Sequence, residues 1–201
     1  GSSSEALAEL ACGIEIDTLR NPIGKQDQYA AAFGGMNYIR FNSDGTVKVD
    51  RIPCSRDLFK HIESHSLMVY TDQQRSASEI LDKQTKGTGD KLAVLREMRD
   101  MAGEMKTIVS SGANMQDFGR VLDEGWRLKR SLGFGITNSL IDDWYQAAKN
   151  AGAIGGKLLG AGGGGFLYFI APPERHERIL AALGNPKTLP VSFDSIAAST
   201  S

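Results

Sequence analysis

The 201 residues carry 23 Lys and Arg against 24 Asp and Glu, a formal net charge of −1. That balance offers no basic face to nucleic acid or to an anionic membrane, while 41% hydrophobic residues suffice for a packed core and argue against a disordered chain. Two cysteines, Cys12 and Cys54, fall short of a disulfide framework and read as small buried apolar groups in a reducing, cytoplasmic setting. No apolar run reaches the roughly 18 residues of a membrane span, and no signal peptide opens the chain.

In chain order, EALAELACGIEIDTL (residues 5–19) spaces Leu7, Leu10 and Ile14 as a helix does. Asn21-Pro22 ends it, because a residue before proline avoids helical torsions. IGKQDQYAAAFGG (23–35) then sets Lys25, Gln26, Asp27 and Gln28 in one row ahead of small residues. One reading is a capped helix, with Asp27 as N-cap, a helix over Tyr29–Phe33 and Gly34 as a left-handed stop. The other is a polar cluster presented at a backbone crowded against a ligand. Residues 36–41 and 46–50 flank Ser43-Asp44-Gly45, a hairpin signal, and SLMVYT (66–71) reads as a buried strand.

The middle of the chain is predicted helical. A short helix covers Ser78–Gln84, and a longer one Asp90–Ser110 with Leu92, Leu95, Met98, Met101, Met105 and Ile108 at core spacing. The next, Met115–Leu132, turns Phe118, Val121, Leu122 and Leu128 inward. Thr137 precedes another, with Leu140, Ile141, Trp144 and Ala148 on one side. Met and aromatic stripes of this kind are usually core. Strand FLYFI closes a glycine-dense passage over Gly152–Ile170, Pro172-Pro173 starts a last helix over Glu174–Leu183, and 189–193 reads as a final strand. Strands and helices mix without strict alternation, which favours an α+β class over a doubly wound α/β one.

KLLGAGGGGFLYF (157–169) is the most unusual composition. Gly160, Gly162, Gly163, Gly164 and Gly165 suit positive φ or close approach, and their successive N–H groups could form a nest for an anion. The spacing of Gly160, Gly162 and Gly165 matches a dinucleotide fingerprint formally, but a strand follows where a helix should. A Walker A pattern is absent, since Leu158 follows Gly156-Lys157. The plainer reading is a tight hairpin between strands Lys157–Leu159 and Phe166–Ile170, which accounts for two glycines more readily than for five.

With these stretches together, the chain resembles the GHMP family of small-molecule kinases, in particular the heptose 7-phosphate kinases of the sugar-phosphate branch. The likeness is carried by IEIDTLRNPIGKQDQYAAAFGGMNYIRFNSDG (14–45), by RSASEIL (75–81) and by KLLGAGGGGFLYF. It implies ATP-dependent phosphorylation of a sugar hydroxyl, the anomeric one of D-glycero-D-manno-heptose 7-phosphate, on the way to nucleotide-activated heptose for surface polysaccharide. The implied fold is a GHMP kinase fold: residues 1–60 as the C-terminal portion of a ribosomal-S5-domain-2-like part, then 61–201 as a ferredoxin-like C-terminal domain. The implied partners are ATP with Mg²⁺ and a sugar phosphate, with a homodimer as a possible assembly and neither nucleic acid nor membrane.

The resemblance also assigns roles. Asp27 is the catalytic carboxylate that orients or deprotonates the attacking hydroxyl, and Lys25 beside it tunes that carboxylate or neutralises phosphate, unless it is simply a solvated lysine. Gln26, Gln28 and Tyr29 suit sugar hydroxyls. Arg75 is a fork for the substrate's own phosphate or else a surface arginine. Gly162, Gly163 and Gly164 supply backbone N–H groups. GSSS at residues 1–4 is either a remnant of the family's nucleotide motif, PxxxGLGSSS, or an unrelated run. On the first reading Ser2, Ser3 and Ser4 hold phosphate, with Ser3 on the metal. His61 and His65 have a zinc-like spacing without a third ligand nearby, His176 reads as a solvated helix residue, and Asp142-Asp143 as an exposed helix start.

Overall fold

The computed structural model describes residues 3–73, 91–133, 135–160 and 162–194. The chain divides into two compact units, Gly1–Ser55 with Phe193–Ser201, and Arg56–Ser192.

In the first unit, α1 (Ser4–Cys12) continues as a π-helical stretch over Gly13–Thr18 and stops ahead of Asn21-Pro22, as the proline predicts. Ser3 caps α1, its Oγ accepting the Ala6 N–H at 3.2 Å. The buried face is Ala8 and Cys12, four residues apart; Leu10 and Ile14, expected to point inward, remain 62% and 49% exposed. Helix α2 spans Gln26–Phe33. Its N-cap is Lys25 rather than Asp27, and makes no side-chain capping bond. Asp27 instead lies inside the first turn, where the helix dipole favours a carboxylate without requiring it to cap. Gly34 ends the helix at a φ of 58°, positive as expected, but its ψ of 168° makes it an extended turn rather than the αL stop predicted.

Strands β1 (Asn37–Phe41) and β2 (Val47–Arg51) then form the expected antiparallel hairpin. Asp44 organises its turn, with Oδ1 accepting the Thr46 N–H at 2.9 Å and the Thr46 hydroxyl at 2.6 Å. The unit's small core is Ala8, Cys12, Tyr29 and Ala32, with Phe33 and Ile39 against it. Cys12 is buried as predicted, whereas Cys54 is only half-buried; burial pushes both thiols up.

The second unit runs α3 (Arg56–His65), β3 (Ser66–Tyr70), α4 (Leu92–Ser110), α5 (Met115–Ser131), α6 (Ser139–Ala151), β4 (Gly155–Leu158), β5 (Phe166–Ile170), a 3₁₀ turn (Pro173–Arg175), α7 (His176–Ala182) and β6 (Thr188–Leu189). The sheet order is β4-β5-β3-β6, with every neighbouring pair antiparallel. From β3 onward this is the β-α-β-β-α-β order of a ferredoxin-like fold, with extra helices in the first crossover. The α+β expectation therefore holds.

Alternation puts Leu67 and Val69 of β3 on one face with Phe169 and Leu167 of β5, their register partners, and with Leu158 of β4. All five are at most 7% exposed. Trp126 and Leu128 from α5, Ile141, Tyr145 and Ala148 from α6, and Ile179 from α7 bury against other parts of the chain as well. Each aliphatic side chain fully buried this way contributes about 1.5–3 kcal/mol. Strand and helix come unusually close where β4 meets α5: a Cβ on Gly155 would lie 1.9 Å from the Gly119 carbonyl oxygen.

Four expectations change. Tyr145 takes the core position on α6, while Leu140 and Trp144 are half-buried, so the inward stripe is rotated by about one residue. Trp126, fully buried on α5, was not among the predicted inward residues, and Leu122 is only half-buried. The methionines of α4 are half-buried, and Leu92 is 48% exposed, because α4 packs chiefly on α5 rather than on the sheet. The last strand shrinks from 189–193 to Thr188–Leu189, since Pro190 has no N–H to extend the ladder. The expected helix over Ser78–Gln84 and the start of the next at Asp90 lie outside the described residues.

Candidate functional site

In the first unit, the polar row 25–28 divides by burial. Lys25, Gln26 and Asp27 are exposed at the start of α2, whereas Gln28 is 7% exposed and Tyr29 4%. The Tyr29 ring stacks on Phe33, with centroids 6.2 Å apart, and meets Phe41 edge-on at 5.9 Å. Burial pushes its phenol pKa up. Gln28 Oε1 is buried without a hydrogen-bond partner among the described residues, a polar group that a ligand or water would satisfy. Lys25 lines a cavity of about 470 Å³ with Glu5, Glu9 and Asp17 on α1 and its continuation, and with Gln26 a second of about 490 Å³ beside the β1–β2 turn. Ser3 spends one lone pair on its cap bond, and Ser4 is the first residue of α1. Ser2 and Arg75 lie outside the described residues.

In the second unit, the glycine passage is a hairpin turn between β4 and β5, as the plainer reading has it. The strand that follows it rules out the dinucleotide fingerprint. The turn is held from two sides. Gly163 N–H donates to the Ile136 carbonyl at 2.8 Å, and Gly165 N–H to the Gln73 carbonyl at 2.9 Å. The Gly165 carbonyl in turn accepts from both the Thr71 N–H and hydroxyl, each at 2.9 Å. Asn138, N-cap of α6, accepts the Ile141 N–H at 3.1 Å and donates through Nδ2 to Gln73 Oε1 at 2.8 Å. The excess of glycine therefore has a packing cause. A Cβ on Gly162 would lie 2.8 Å from Ile136 Cα, and one on Gly164 2.5 Å from the Gln73 carbonyl oxygen. The Gly163 N–H is committed to the protein itself; neither Gly162 nor Gly164 donates its N–H to a backbone acceptor among the described residues.

Lys129 on α5 reaches the start of this turn, its Nζ donating to the Gly160 carbonyl at 2.7 Å. Burial, and secondarily the charge of Lys157, lower its pKa to about 8; burial also lowers that of Lys157. Behind the turn, Asp142 accepts from the Thr137 hydroxyl at 2.9 Å and pairs with Arg130 at 3.1 Å. It is thus a network residue rather than a solvated helix start. The Arg130 guanidinium also lies over the Trp126 and Tyr145 rings, at 5.8 and 5.7 Å. Tyr145 donates to Asp123 Oδ1 at 2.6 Å, and Lys149 holds the other oxygen of Asp123 at 3.1 Å. Lys129, Lys157, Arg130, Asp123, Tyr145 and Lys149 did not stand out in the sequence, although a lysine inside the glycine- and leucine-rich strand GGKL was a visible signal.

The His61 and His65 rings meet edge to face with centroids 4.7 Å apart, and His65 Nδ1 lies 2.9 Å from the His61 carbonyl. No group of three or more metal-ligating side chains occurs among the described residues. His176, expected on a solvated face, is partly buried with Nε2 3.2 Å from the Ala171 carbonyl.

A ferredoxin-like unit carrying a glycine turn, next in sequence to a unit carrying an exposed acid at a helix start, fits the small-molecule kinases that the motifs resemble. The chain matches, over residues 93–187, the family described as GHMP kinases C terminal. It is 30% identical over 88% of its length to the D-glycero-alpha-D-manno-heptose 7-phosphate kinase of Campylobacter jejuni, covering 52% of that protein. A crystal structure of a D-glycero-D-manno-heptose 1-phosphate kinase from Bacteriodes thetaiotaomicron superposes with a TM-score of 0.71 at 29% identity, over 95% of this chain and 53% of that one. The L-fucokinase/L-fucose-1-P guanylyltransferase of Bacteroides fragilis is 28% identical over 78% of this chain and 17% of its own. The chain thus spans about half the length of the heptose kinases it matches. No helix among the described residues is long and apolar enough to cross a membrane.

Proposed function

We propose that the chain is the part of an ATP-dependent sugar kinase that phosphorylates the anomeric hydroxyl of D-glycero-D-manno-heptose 7-phosphate. The observation that carries this reading is the 30% identity to a heptose 7-phosphate kinase over 88% of the chain, a span that includes the KQDQY stretch or most of it. Asp27 is the general base: it is exposed at the start of α2, free to meet a hydroxyl from solvent. Lys25, next to it on the same helix start, supplies positive charge to a phosphate. Gln26 bonds sugar hydroxyls directly, and Gln28 and Tyr29 support the helix from within. Arg75 binds the 7-phosphate. Gly162 and Gly164 offer backbone N–H groups, with Gly163 holding the turn between them. ATP is the phosphoryl donor and brings Mg²⁺ as its chelate, with Ser2, Ser3 and Ser4 contributing hydroxyls to its phosphates, the last two from the start of α1. Residues 1–60 then belong to the S5-like part and 61–201 to the ferredoxin-like domain, and the reaction serves surface-polysaccharide synthesis in the cytoplasm.

The fucokinase relative favours one rival, a sugar-1-kinase acting on an unphosphorylated sugar. ADP release is measured with heptose 7-phosphate, heptose and fucose in turn. Turnover confined to the phosphorylated heptose is expected, and Arg75→Met should abolish that preference. Asp27→Asn should lower kcat at least 10³-fold with an unchanged circular dichroism spectrum, general-base catalysis being worth about 10²–10⁴-fold. Undiminished turnover would remove Asp27 from the mechanism. Absence of any calorimetric heat with a non-hydrolysable ATP analogue would leave a sugar-phosphate binder in place of a kinase.

A further inference from the structure

Between α4 and α5 lies an apolar groove of about 220 Å³, floored by Trp126 and lined by Met98, Met101 and Met105, with Lys129 and Lys157 also in its wall. Methionines left half-buried make an adaptable surface rather than a fixed core. The Lys157 charge lies close enough to Lys129 to add to the lowering of its pKa by burial, and neither lysine pairs with a carboxylate among the described residues. The Lys129 ammonium has the Gly160 carbonyl as its partner, and the Lys157 ammonium has no hydrogen bond among the described residues. Two desolvated ammonium groups without a counter-charge, in the wall of an apolar slot, are complementary to one class of ligand. The sheet does not need them there: Lys157 sits on β4, at the edge of the sheet, where a leucine or valine would pack as well.

We propose that this groove binds an amphipathic anion, an alkyl chain of roughly eight carbons lying on the methionines and Trp126 with its carboxylate or phosphate head between Lys129 and Lys157. The length follows from the volume, since an apolar cavity of about 150 Å³ is enough to hold benzene. A bound head group would compete with the Gly160 carbonyl for Lys129, which ties the groove to the start of the glycine turn. The site is separate from every residue assigned to the kinase reaction, so it stands whether or not that reaction is correct.

The test is calorimetry on the 201-residue chain with octanoate, octyl phosphate, octanol and inorganic phosphate, with the emission of Trp126 followed in a Trp144→Phe background. Saturable 1:1 binding of an octyl anion is expected, at least tenfold tighter than octanol or phosphate alone. The tighter of octanoate and octyl phosphate identifies the head group. Lys157→Met should weaken the anion at least tenfold and leave octanol unchanged. Gly125→Leu should block both, because a Cβ there already reaches 3.8 Å from Met101 Cε and a leucine extends into the groove. Leucine is also the better helix former, so α5 accommodates this variant, which tests the groove independently of Lys157 on β4. Equal affinity for octanol and octanoate, or binding untouched by Gly125→Leu, would overturn the assignment.

Discussion

Replacing Gly162 by alanine is the sharpest test of why the turn between β4 and β5 is so rich in glycine. Two penalties add at that position. The backbone φ is 123°, where a residue with a Cβ is strained by about 1–2 kcal/mol. The new methyl would also lie 2.8 Å from Ile136 Cα and 2.9 Å from its carbonyl oxygen. Ile136 is 1% exposed and its carbonyl already accepts the Gly163 N–H at 2.8 Å, so it has little freedom to retreat. Overpacking against such a neighbour costs about 1–3 kcal/mol. The expected total is therefore about 2–5 kcal/mol. Gly165 supplies the control: its φ is 99°, but nothing stands within 4 Å of an added Cβ, so Gly165→Ala carries the torsional penalty alone. Both tryptophans of the chain, Trp126 and Trp144, belong to the second unit, and their fluorescence in urea reports its unfolding without interference from the first. With a slope near 2 kcal/mol per molar urea, the two midpoints should differ by about 0.5–1.5 M. Coincident midpoints would mean that contact with Ile136 is not what demands glycine, and the turn would again need a ligand to explain it.

Two further outcomes follow from the buried charges of the same unit. Lys129 titrates at about 8 when folded and near its ordinary 10.5 when unfolded. Between those values the unfolded chain binds the extra proton, so this lysine makes stability rise with pH from 8 to 10.5 and its penalty is fully present below 8. Lys129→Met should flatten that rise by about 1–3 kcal/mol, the upper figure being discounted for partial exposure; an unchanged pH dependence of the urea midpoint would contradict it. Tyr145→Phe deletes a 2.6 Å bond to Asp123 and leaves that carboxylate with Lys149 alone, at an expected cost of about 1.5–3 kcal/mol in the same assay. A loss below about 0.5 kcal/mol would show that water replaces the phenol freely.

Most of the secondary structure was legible because it rests on local chemistry. Asp44-Gly45 announces a hairpin through a side chain that bonds its own turn, and Asn21-Pro22 and Gly34 stop helices by torsional limits that need no tertiary partner. Where the reading slipped, the deciding partner was distant in sequence. Which stripe of α6 faces inward depends on Arg130 and Asp123, which give Tyr145 a charge to lie against and a hydrogen bond to make. The α4 methionines have the spacing of a core stripe, and only the position of α4 outside the sheet shows that they line a groove. Leu10 and Ile14 illustrate the same limit on α1, where the small residues Ala8 and Cys12 pack and the large ones stay out.

The glycine passage shows how a correct signal can have a second cause. Five glycines were more than a hairpin required, and an anion nest was the natural reason to suspect, because backbone N–H groups in such turns do cradle phosphates. In the folded chain, Gly162 and Gly164 are needed because the turn is pressed between Ile136, 26 positions before Gly162, and Gln73, 91 positions before Gly164. The two causes are compatible. A turn clamped by Ile136, Gln73 and Asn138 is rigid, and a rigid turn presents any remaining N–H groups without the entropy loss that a free glycine loop would suffer on binding. Packing would then be what makes an anion site out of a sequence that, in isolation, is merely flexible.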